Sequence, residues 1–546
     1  MYHKIGCEIV KTSKRVLLMF LITAGQCKNP PSPDIKKVQQ DSGNTPAAKM
    51  AIELNGKFSD QAVLKFDSIE INGFFSKYTL LAPYRKDVEL FYRNRNFSFA
   101  WHDNNGLIEQ AGNFYSRVRN LPADGITAAV PYLENFDSLM ENTDTQERRQ
   151  QTESEILISG LYFYFAHKVW DGLDKDATTR IEWYVPRKKV SYKQWLDSLL
   201  KTPEGFNHTG EPVYRQYNLL KGFLEKYQQM DKGANWPQMV SDKKSYGLHD
   251  SSFVIKEIKE KLWMTGDLVI PDSTFLFDTA LQEAVKNFQH RYGIKEDGII
   301  GRAMIRELNR PLHDKIEKIL VNMERSRWLP MAVSGEYLAV NIPEFKLHSY
   351  SNDTLNWSMK VVVGKSASKT VIFSGHLKYI VFSPYWNVPN SIYKTEVLPG
   401  MRKNKNYLVL HHMEKWGNGV RQIPGPWNSL GQVKFLFPNS YSIYFHDTPA
   451  KTLFRESKRD FSHGCIRLAE PKKLAAYLLR NEASWTDDKI TAAMKTGKEK
   501  YVTLRKEVPV FITYFTAWVD RKGQLNLRDD IYNRDKRLIE MMMSNK

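Results

Sequence analysis

The chain has 546 residues with a formal net charge of +18, and 42% of its residues are hydrophobic and 26% charged. This length is too great for one hydrophobic core, so two to four domains are expected, with the composition of a soluble globular protein. Beyond the N-terminus there is no apolar run of about 18 residues, which excludes an internal membrane span.

The first 26 residues resemble an export signal. Lys11, Lys14 and Arg15 precede the apolar run from Val16 to Ala24, and small residues follow. This pattern predicts a signal segment over 1–26, a polar tether over 27–59 and a location in the periplasm or cell envelope. Cys27, just after the apolar run, is a candidate for lipid anchoring, although the bulky Gln26 before it disfavours this.

The net charge limits the expected binding partners, and the cysteines limit the expected chemistry. An excess of positive charge favours a polyanion, either nucleic acid or the carboxylate-rich bacterial wall, and export favours the wall. No nucleic-acid recognition motif is present. Of the three cysteines, Cys7, Cys27 and Cys465, only the last lies in the expected folded body. A disulfide framework is therefore excluded, and Cys465 is either an inert buried residue or a reactive thiol.

Two regions precede the candidate site. Residues 60–245 carry helical patterns with aromatic anchors, which predict a helical scaffold domain. Residues 251–309 predict a three-helix module, because apolar residues recur at helical spacing and the second helix meets a stop signal at Gly293. The module is expected to be a separate unit.

Residues 318–520 predict a mostly β domain with appended helices. Strands are expected near 337–342, 359–363, 379–382, 442–445 and 508–518, and Pro471 is expected to open a helix. The polar and basic stretch at about 399–426 is too long for an ordinary loop and is interpreted as a cap over an active site. Residues 521–546 are expected to be a C-terminal tail. The predicted fold class is thus multidomain α+β.

The chemistry is expected in one short segment, where His446 precedes Ser462-His463-Gly464-Cys465 and Arg467. A catalytic thiol needs access, a base, an oxyanion site and an orienting group. His446, at the end of a strand, is the candidate base, and could convert the thiol into a thiolate–imidazolium pair. Gly464 would allow backbone amides to converge on an oxyanion.

Each of these residues also has a structural interpretation. Cys465 could be a small buried hydrophobe and His446 a satisfied histidine. For His463 the backbone could matter more than the ring, and Ser462 is a candidate for substrate binding that could also orient the base or support the turn. Arg467 suits a substrate carboxylate but could be a solvated charge. Tyr385 and Trp386, with Asn387 beside them, are candidates for a substrate groove, and the aromatic rings could equally pack in the core.

These motifs resemble those of the L,D-transpeptidase family. The similarity includes His446, the Ser462–Arg467 segment and Pro384-Tyr385-Trp386-Asn387-Val388-Pro389, and it extends to the large Gram-negative periplasmic type. Residues 251–309 resemble a peptidoglycan-binding domain. The resemblance implies that Cys465 is the nucleophile and His446 the base, and it assigns the oxyanion amides to the His463–Cys465 turn.

The resemblance also implies the reaction. The thiolate takes the acyl group of a donor tetrapeptide stem, terminal D-Ala leaves, and an acceptor amine on a neighbouring stem completes a 3-3 crosslink. Carbapenem-type inhibitors are expected to bind; no cofactor and no metal are expected. With water as acceptor the enzyme would be an L,D-carboxypeptidase, and with a protein amine it would anchor proteins to the wall. A non-catalytic peptidoglycan-binding protein is the alternative from another class.

Overall fold

The structure is a computed structural model that describes residues 64–104, 106–141, 148–201, 210–233 and 236–544. The predicted signal segment, the tether and Cys27 lie outside the described residues. Within the described part of the chain, no helix is both long and apolar enough to cross a bilayer.

The N-terminal region is helical, as expected. Its helices are α1 Ile69–Lys77, α2 Arg85–Asn94, α3 Glu109–Arg119, α4 Leu133–Glu141, α5 Arg148–Phe165, α6 Lys175–Arg180, α7 Tyr192–Leu200 and α8 Gln216–Gly233, with short strands β1 His102–Asp103, β2 Gly106–Leu107, β3 Trp183–Tyr184 and β4 Ser245–Tyr246. Aromatic side chains fill its core: Phe91, Trp101 and Phe114 are fully buried. Strand β3 pairs in parallel with residues 372–373, so this region is hydrogen-bonded to the β domain.

The three-helix module follows. It contains α9 Phe253–Thr265, α10 Thr279–Tyr292, β5 Ile300–Gly301 and α11 Arg302–Asn309. Asp278 caps α10 by accepting the Leu281 N–H at 2.7 Å, and Gly293 ends it in the left-handed conformation. The module shares one hydrophobic cluster with the scaffold helices and with residues 517–527. The expectation of a separate unit is therefore not supported, because the module and scaffold bury apolar surface together.

A long helix, α12 Leu312–Trp328, leads into the β domain. The predicted domain start at residue 318 falls inside this helix, and the first strand begins at Glu336. Most side chains in the second half of α12 are buried, Glu324 and Arg327 among them, and these two form an ion pair at 2.5 Å. Arg327 also donates to the Val169 carbonyl at 2.8 Å. The helix therefore joins scaffold and β domain rather than starting a new body.

The β domain is built on a sheet that closes on itself. Its strands are β6 Glu336–Asn341, β7 Lys346–Ser351, β8 Thr354–Gly364, β9 Ile372–Phe382, β10 Trp386–Asn387, β11 Met413–Trp416, β12 Gly419–Gln422, β13 Val433–Leu436, β14 Phe445–His446, β15 Asp460–Ser462, β16 Ile466–Leu468, β17 Lys500–Thr513, β18 Ala517–Val519 and β19 Leu525–Leu527. The order is β13-β14-β16-β8-β7-β6-β17-β9, and β9 pairs with β13 again. Closure removes exposed sheet edges and encloses a second hydrophobic cluster.

Helices and an insertion surround this barrel. The helices are α13 Asn390–Ile392, α14 Leu398–Lys403, α15 Tyr407–Leu410, α16 Pro471–Leu479, α17 Asp487–Lys495 and α18 Arg534–Ser544. Pro471 begins α16, as predicted. The capping segment is longer than 399–426, because it also contains β10 and α13. Residues 521–546 are not a tail: they include β19 and α18, and Leu538 is fully buried. The predicted fold class, multidomain α+β, is confirmed.

Candidate active site

The site is organised by two parallel strands. β14 pairs with β16 so that Phe445 lies opposite Ile466 and His446 opposite Arg467. Phe445 and Ile466 are fully buried in the barrel core. Side chains alternate along a strand, so His446 and Arg467 point to the outer face. Tyr444 and Cys465 directly precede these two strands. The Tyr444 ring lies 5.8 Å from the His446 ring, and Cys465 is close enough to Arg467 for each to shift the pKa of the other.

The Cys465 thiol is half-buried and free. Its sulfur lies 3.6 Å from the Ser442 carbonyl, to which the S–H donates. The backbone N–H and the hydroxyl of Tyr444 both lower the pKa of the thiol. Ser442 has a positive φ of 56°, a strained conformation for a non-glycine residue. One short segment thus supplies an acceptor for the thiol and two donors for the thiolate.

His446 is held in one tautomer. It is buried, and its Nδ1 lies 2.5 Å from the backbone carbonyl of Asp447. A carbonyl oxygen only accepts, so Nδ1 carries the hydrogen and the Nε2 lone pair remains available as a base. The Asp447 carboxylate is engaged elsewhere, with the Gln432 and Thr448 amides and the Lys451 ammonium. The orienting group is therefore a backbone carbonyl rather than a side chain.

The electrostatics favour an uncharged pair at rest. Burial, and secondly the nearby Arg467 guanidinium, lower the pKa of His446 to about 3. Burial raises the pKa of Cys465, against the opposing effects of Tyr444 and Arg467. Both shifts disfavour the thiolate–imidazolium pair expected from the sequence. The arrangement instead suits proton transfer to His446 as the sulfur attacks.

Hydrogen bonds stabilise the turn that precedes Cys465. Gly464 has a φ of +116°, which only glycine adopts without strain. Its N–H donates to Ser462 Oγ at 3.1 Å, and Ser462 Oγ donates to the Cys465 carbonyl at 2.6 Å. Thr370 Oγ1 donates to the Gly464 carbonyl at 2.8 Å. This corrects two expectations: Ser462 is buried and supports the turn rather than contacting substrate, and the Gly464 amide is already occupied.

Arg467 is an unpaired cation beside the thiol. It is half-buried, and it forms no ion pair with any described residue. Its Nε is buried without a hydrogen-bond partner in the same part of the chain. Burial lowers the pKa of this guanidinium, while Cys465 opposes the shift. A partly desolvated guanidinium without a carboxylate is suited to bind an external anion.

The His463 ring faces the capping segment. Its Nε2 lies 3.3 Å from Oε1 of Glu396, in the helical turn Tyr393–Val397, and 42% of the His463 side chain is exposed. The structure shows no hydrogen bond from this ring to Cys465. The prediction of a catalytic His463 side chain therefore lacks support, and the ring instead joins the catalytic turn to the cap.

The predicted groove residues lie in the cap sheet. β10, with Trp386 and Asn387, pairs with β12, which also pairs with β11. The ring of Tyr385 packs against the Arg421 guanidinium at 3.9 Å, so Tyr385 has a packing role. Trp386 is half-buried and Asn387 exposed. The structure shows no hydrogen bond between these three residues and Cys465.

The sequence analysis did not identify Tyr444, or the residues whose hydrogen bonds stabilise the turn. A signal for Tyr444 was present, because it lies two residues before His446 on a predicted strand and so shares its face. No comparable signal exists for Thr370 or Ser442, whose contacts depend on tertiary structure. The site thus gains a thiol-binding tyrosine, and its orienting carbonyl comes from Asp447.

Three family models match parts of the chain. Residues 335–509 match the L,D-transpeptidase catalytic domain, residues 86–224 a scaffold domain and residues 254–308 a domain described as "Putative peptidoglycan binding domain". A Haemophilus influenzae protein named "Putative L,D-transpeptidase" is 32% identical over 242 residues, covering 41% of this chain and 49% of that protein. The chain therefore spans about half the length of this relative.

Several solved structures match parts of this chain, with low TM-scores. An L,D-transpeptidase from Xylanimonas cellulosilytica is 12% identical with a TM-score of 0.18, covering 50% of this chain and 100% of that one. An L,D-transpeptidase from Mycobacterium smegmatis is 13% identical with a TM-score of 0.19, covering 33% and 59%. An LD transpeptidase solved with imipenem is 15% identical with a TM-score of 0.19 and the same coverage. These TM-scores are too low to support an argument.

Proposed function

Residues 335–509 are an L,D-transpeptidase catalytic domain, and on that premise we propose that the protein crosslinks peptidoglycan through an acyl-enzyme on Cys465. The family matches to the scaffold and peptidoglycan-binding domains confirm the resemblance read from the sequence. The observation that carries the proposal is the outer face of β14 and β16, where a histidine with a free Nε2, a thiol and an unpaired guanidinium lie together.

The first half-reaction forms a thioester. The sulfur of Cys465 attacks the carbonyl between residue 3 of the donor tetrapeptide stem and the terminal D-Ala, and the thiol proton moves to Nε2 of His446. An S–C bond forms, the C–N bond breaks, and the imidazolium returns the proton to the departing D-Ala amine. Because His446 is a weak base here, proton transfer accompanies bond formation rather than preceding it.

Several fixed donors can stabilise the charge that develops. The backbone N–H of Cys465 has no hydrogen-bond partner among the described residues, so it is available to the oxyanion. The Tyr444 hydroxyl favours the thiolate, because it lowers the pKa of Cys465. Arg467 offers its guanidinium to a stem carboxylate, which would fix the donor beside the thiol.

The second half-reaction defines the product. A side-chain amine of a neighbouring stem attacks the thioester, regenerating the thiol and leaving a 3-3 crosslink. One acyl bond replaces another, so no ATP is needed outside the cytoplasm. We also propose export to the cell envelope, where this substrate lies. Water as acceptor would give an L,D-carboxypeptidase, and a protein amine an anchoring enzyme; a non-catalytic wall-binding protein would have no use for the His446–Cys465 arrangement.

The test uses muropeptides with tetrapeptide stems. We expect the full chain to release D-Ala and form dimers resistant to enzymes that cleave 4-3 crosslinks, as measured by liquid chromatography and mass spectrometry. The Cys465→Ala variant should fold normally and release none. Release of D-Ala by this variant would refute the acyl-enzyme, and tripeptide monomers as the sole product would identify an L,D-carboxypeptidase.

A carbapenem offers an independent probe of the thiol. Its strained β-lactam carbonyl is an acylating group, and ring opening would leave a thioester on Cys465 with no small leaving group. We expect the intact mass of the protein to increase by one carbapenem, and the Cys465→Ala variant to gain nothing.

A further inference from the structure

A large basic cleft lies beside the module and the barrel, away from Cys465. Its volume is about 580 Å³. The cleft is lined by residues from 290–296, 306–318, 343–346, 455–459 and 527–531, together with Lys360. It therefore combines the end of α10, the helices α11 and α12, the barrel strands and the segment that precedes the catalytic turn.

The lining carries an excess of positive charge. Eleven lysines and arginines face six aspartates and glutamates. Arg455 and Lys458 are exposed, and neither forms an ion pair with another described residue. Uncompensated charges in a cleft concentrate field lines and attract anions.

Lys315 adds a buried cation to the wall of the cleft. The residue is 3% exposed and lines the cleft, and its ammonium has no hydrogen-bond partner in the described part of the chain. The ammonium lies 4.6 Å from the Trp236 ring, its nearest favourable contact. Burial, followed by the charges of Lys261 and Arg291, lowers its pKa to about 7. Lys315 therefore adds to the positive potential of the cleft wall, although its ammonium lies against Trp236, which does not line the cleft.

The cleft opens on the same sheet face as Cys465. Val362 on β8 lies opposite Arg467, and Lys360 two residues earlier shares that face. Lys346 on β7 lies opposite Lys360. Neighbouring strands are about 4.8 Å apart and successive residues about 3.3 Å apart along a strand, so Lys360, one strand across and four residues along from the level of Cys465, lies roughly 14 Å from it. An extended four-residue peptide spans about 13 Å, so a stem in the cleft can extend toward the thioester.

We propose that this cleft holds the peptide stem that supplies the acceptor amine, a role that rests on the transpeptidase function proposed above. The mixed lining favours such a ligand. A stem is zwitterionic: its carboxylates match the cations, and its free amine tolerates the six acidic groups. A polyphosphate wall polymer, which is anionic throughout, would match the cations but leave the six carboxylates without a partner.

The test measures the ratio of crosslinked to hydrolysed product, which reports whether the acyl-enzyme reacts with the acceptor amine or with water. The Arg455→Glu, Lys458→Glu double variant reverses two exposed charges in the cleft. Its matched control, Lys489→Glu with Lys506→Glu, makes the same charge change at exposed sites outside the cleft. A synthetic tetrapeptide stem is the donor, and a synthetic tripeptide stem with a free side-chain amine is the acceptor.

We expect the cleft variant to lower the ratio of crosslinked to hydrolysed product about tenfold, with D-Ala release and acylation by a carbapenem unchanged. Lys315→Met, which keeps an unbranched chain beside Trp236, should lower the same ratio without lowering Tm. Amidating the acceptor carboxylates should reproduce the loss with the wild-type protein.

An unchanged ratio in both cleft variants, or an equal loss in the control, would overturn the proposal. Competition by inorganic polyphosphate but not by free tripeptide stem would also overturn it in favour of a phosphate polymer. Absence of D-Ala release from the wild-type protein would instead refute the transpeptidase function itself, so the two failures are distinguishable.

Discussion

The contact between Tyr444 and the thiol gives a quantitative prediction. In Tyr444→Phe the ring remains, but the hydroxyl that lowers the pKa of Cys465 is lost. Burial, and next the nearby Cys465, raise the pKa of Tyr444, so its hydroxyl stays protonated and remains a donor when the thiol ionises. The hydroxyl therefore stabilises the thiolate more than the thiol, and its removal must raise the pKa of Cys465.

The size of the effect follows from the kind of hydrogen bond. A bond to a charged group contributes about 1.5–3 kcal/mol, which corresponds to a rise of roughly 1–2 pKa units. Each unit reduces the thiolate fraction about tenfold but makes the remaining thiolate about threefold more nucleophilic. The alkylation rate at a fixed pH below the pKa should therefore fall roughly 3- to 12-fold.

The assay is the rate of alkylation by iodoacetamide across a range of pH. Peptide mapping must identify the modified residue, because Cys7 and Cys27 also carry thiols. Tyr441→Phe is the matched control: it removes a tyrosine hydroxyl three residues earlier, where the ring stacks on Tyr184 at 5.5 Å. An apparent pKa and rate equal to those of the wild type in Tyr444→Phe would refute the reasoning.

Three further predictions concern the base, its support and the module. His446 stays neutral in the folded state down to about pH 3, but in the unfolded chain it is protonated below about pH 6.5. Its contribution to the free energy of unfolding is therefore lost as pH falls from about 6.5 to about 3, by up to about 5 kcal/mol. His446→Gln should make the denaturant midpoint depend less on pH in this range, and an unchanged dependence would contradict the shift. In Gly431→Ala the new Cβ would lie 2.4 Å from the Asp447 carboxyl group, at a φ of +60°. The displaced Asp447 would no longer hold the His446 ring through its backbone carbonyl, so D-Ala release should slow at least tenfold. The control Gly497→Ala, also at positive φ but with open space around it, should leave turnover unchanged. Deleting residues 251–309 should lower Tm as well as binding to sacculi, because the module shares the scaffold's core; an unchanged Tm in calorimetry would show that it is an independent unit.

Local signals predicted the module helices and much of the barrel. The capped start of α10 and its end at Gly293 are specified by adjacent residues, and Pro471 marks the start of α16. Strand β8 was predicted from its buried half, while its exposed first half, Thr354–Trp357, carries no strong apolar pattern. The alternation of apolar and polar residues along a strand shows which side chains share a face, but it does not show which strand is the hydrogen-bonding partner.

Long-range contacts decided what the sequence could not predict. Helix α12 was missed because its buried charges, such as Glu324 and Arg327, hide the apolar pattern of a core helix. The supposed tail is held by Tyr532, whose hydroxyl hydrogen-bonds the Gly364 carbonyl next to the catalytic turn. At the site, Cys465 and His446 were found from a local motif, whereas the free Arg467 and the occupied Gly464 amide required the tertiary structure.

The cap leaves and re-enters the barrel at a single point. β9 ends at Phe382 and β13 begins at Val433, and these two residues are directly opposed in an antiparallel pair. The fifty residues between them therefore occupy the position of a hairpin loop, and the register of the barrel does not depend on their length or sequence. Such an insertion point allows the middle of the segment to change while β9, β13 and β14 keep their pairing. The cap and the strands of the catalytic site thereby occupy different stretches of one chain.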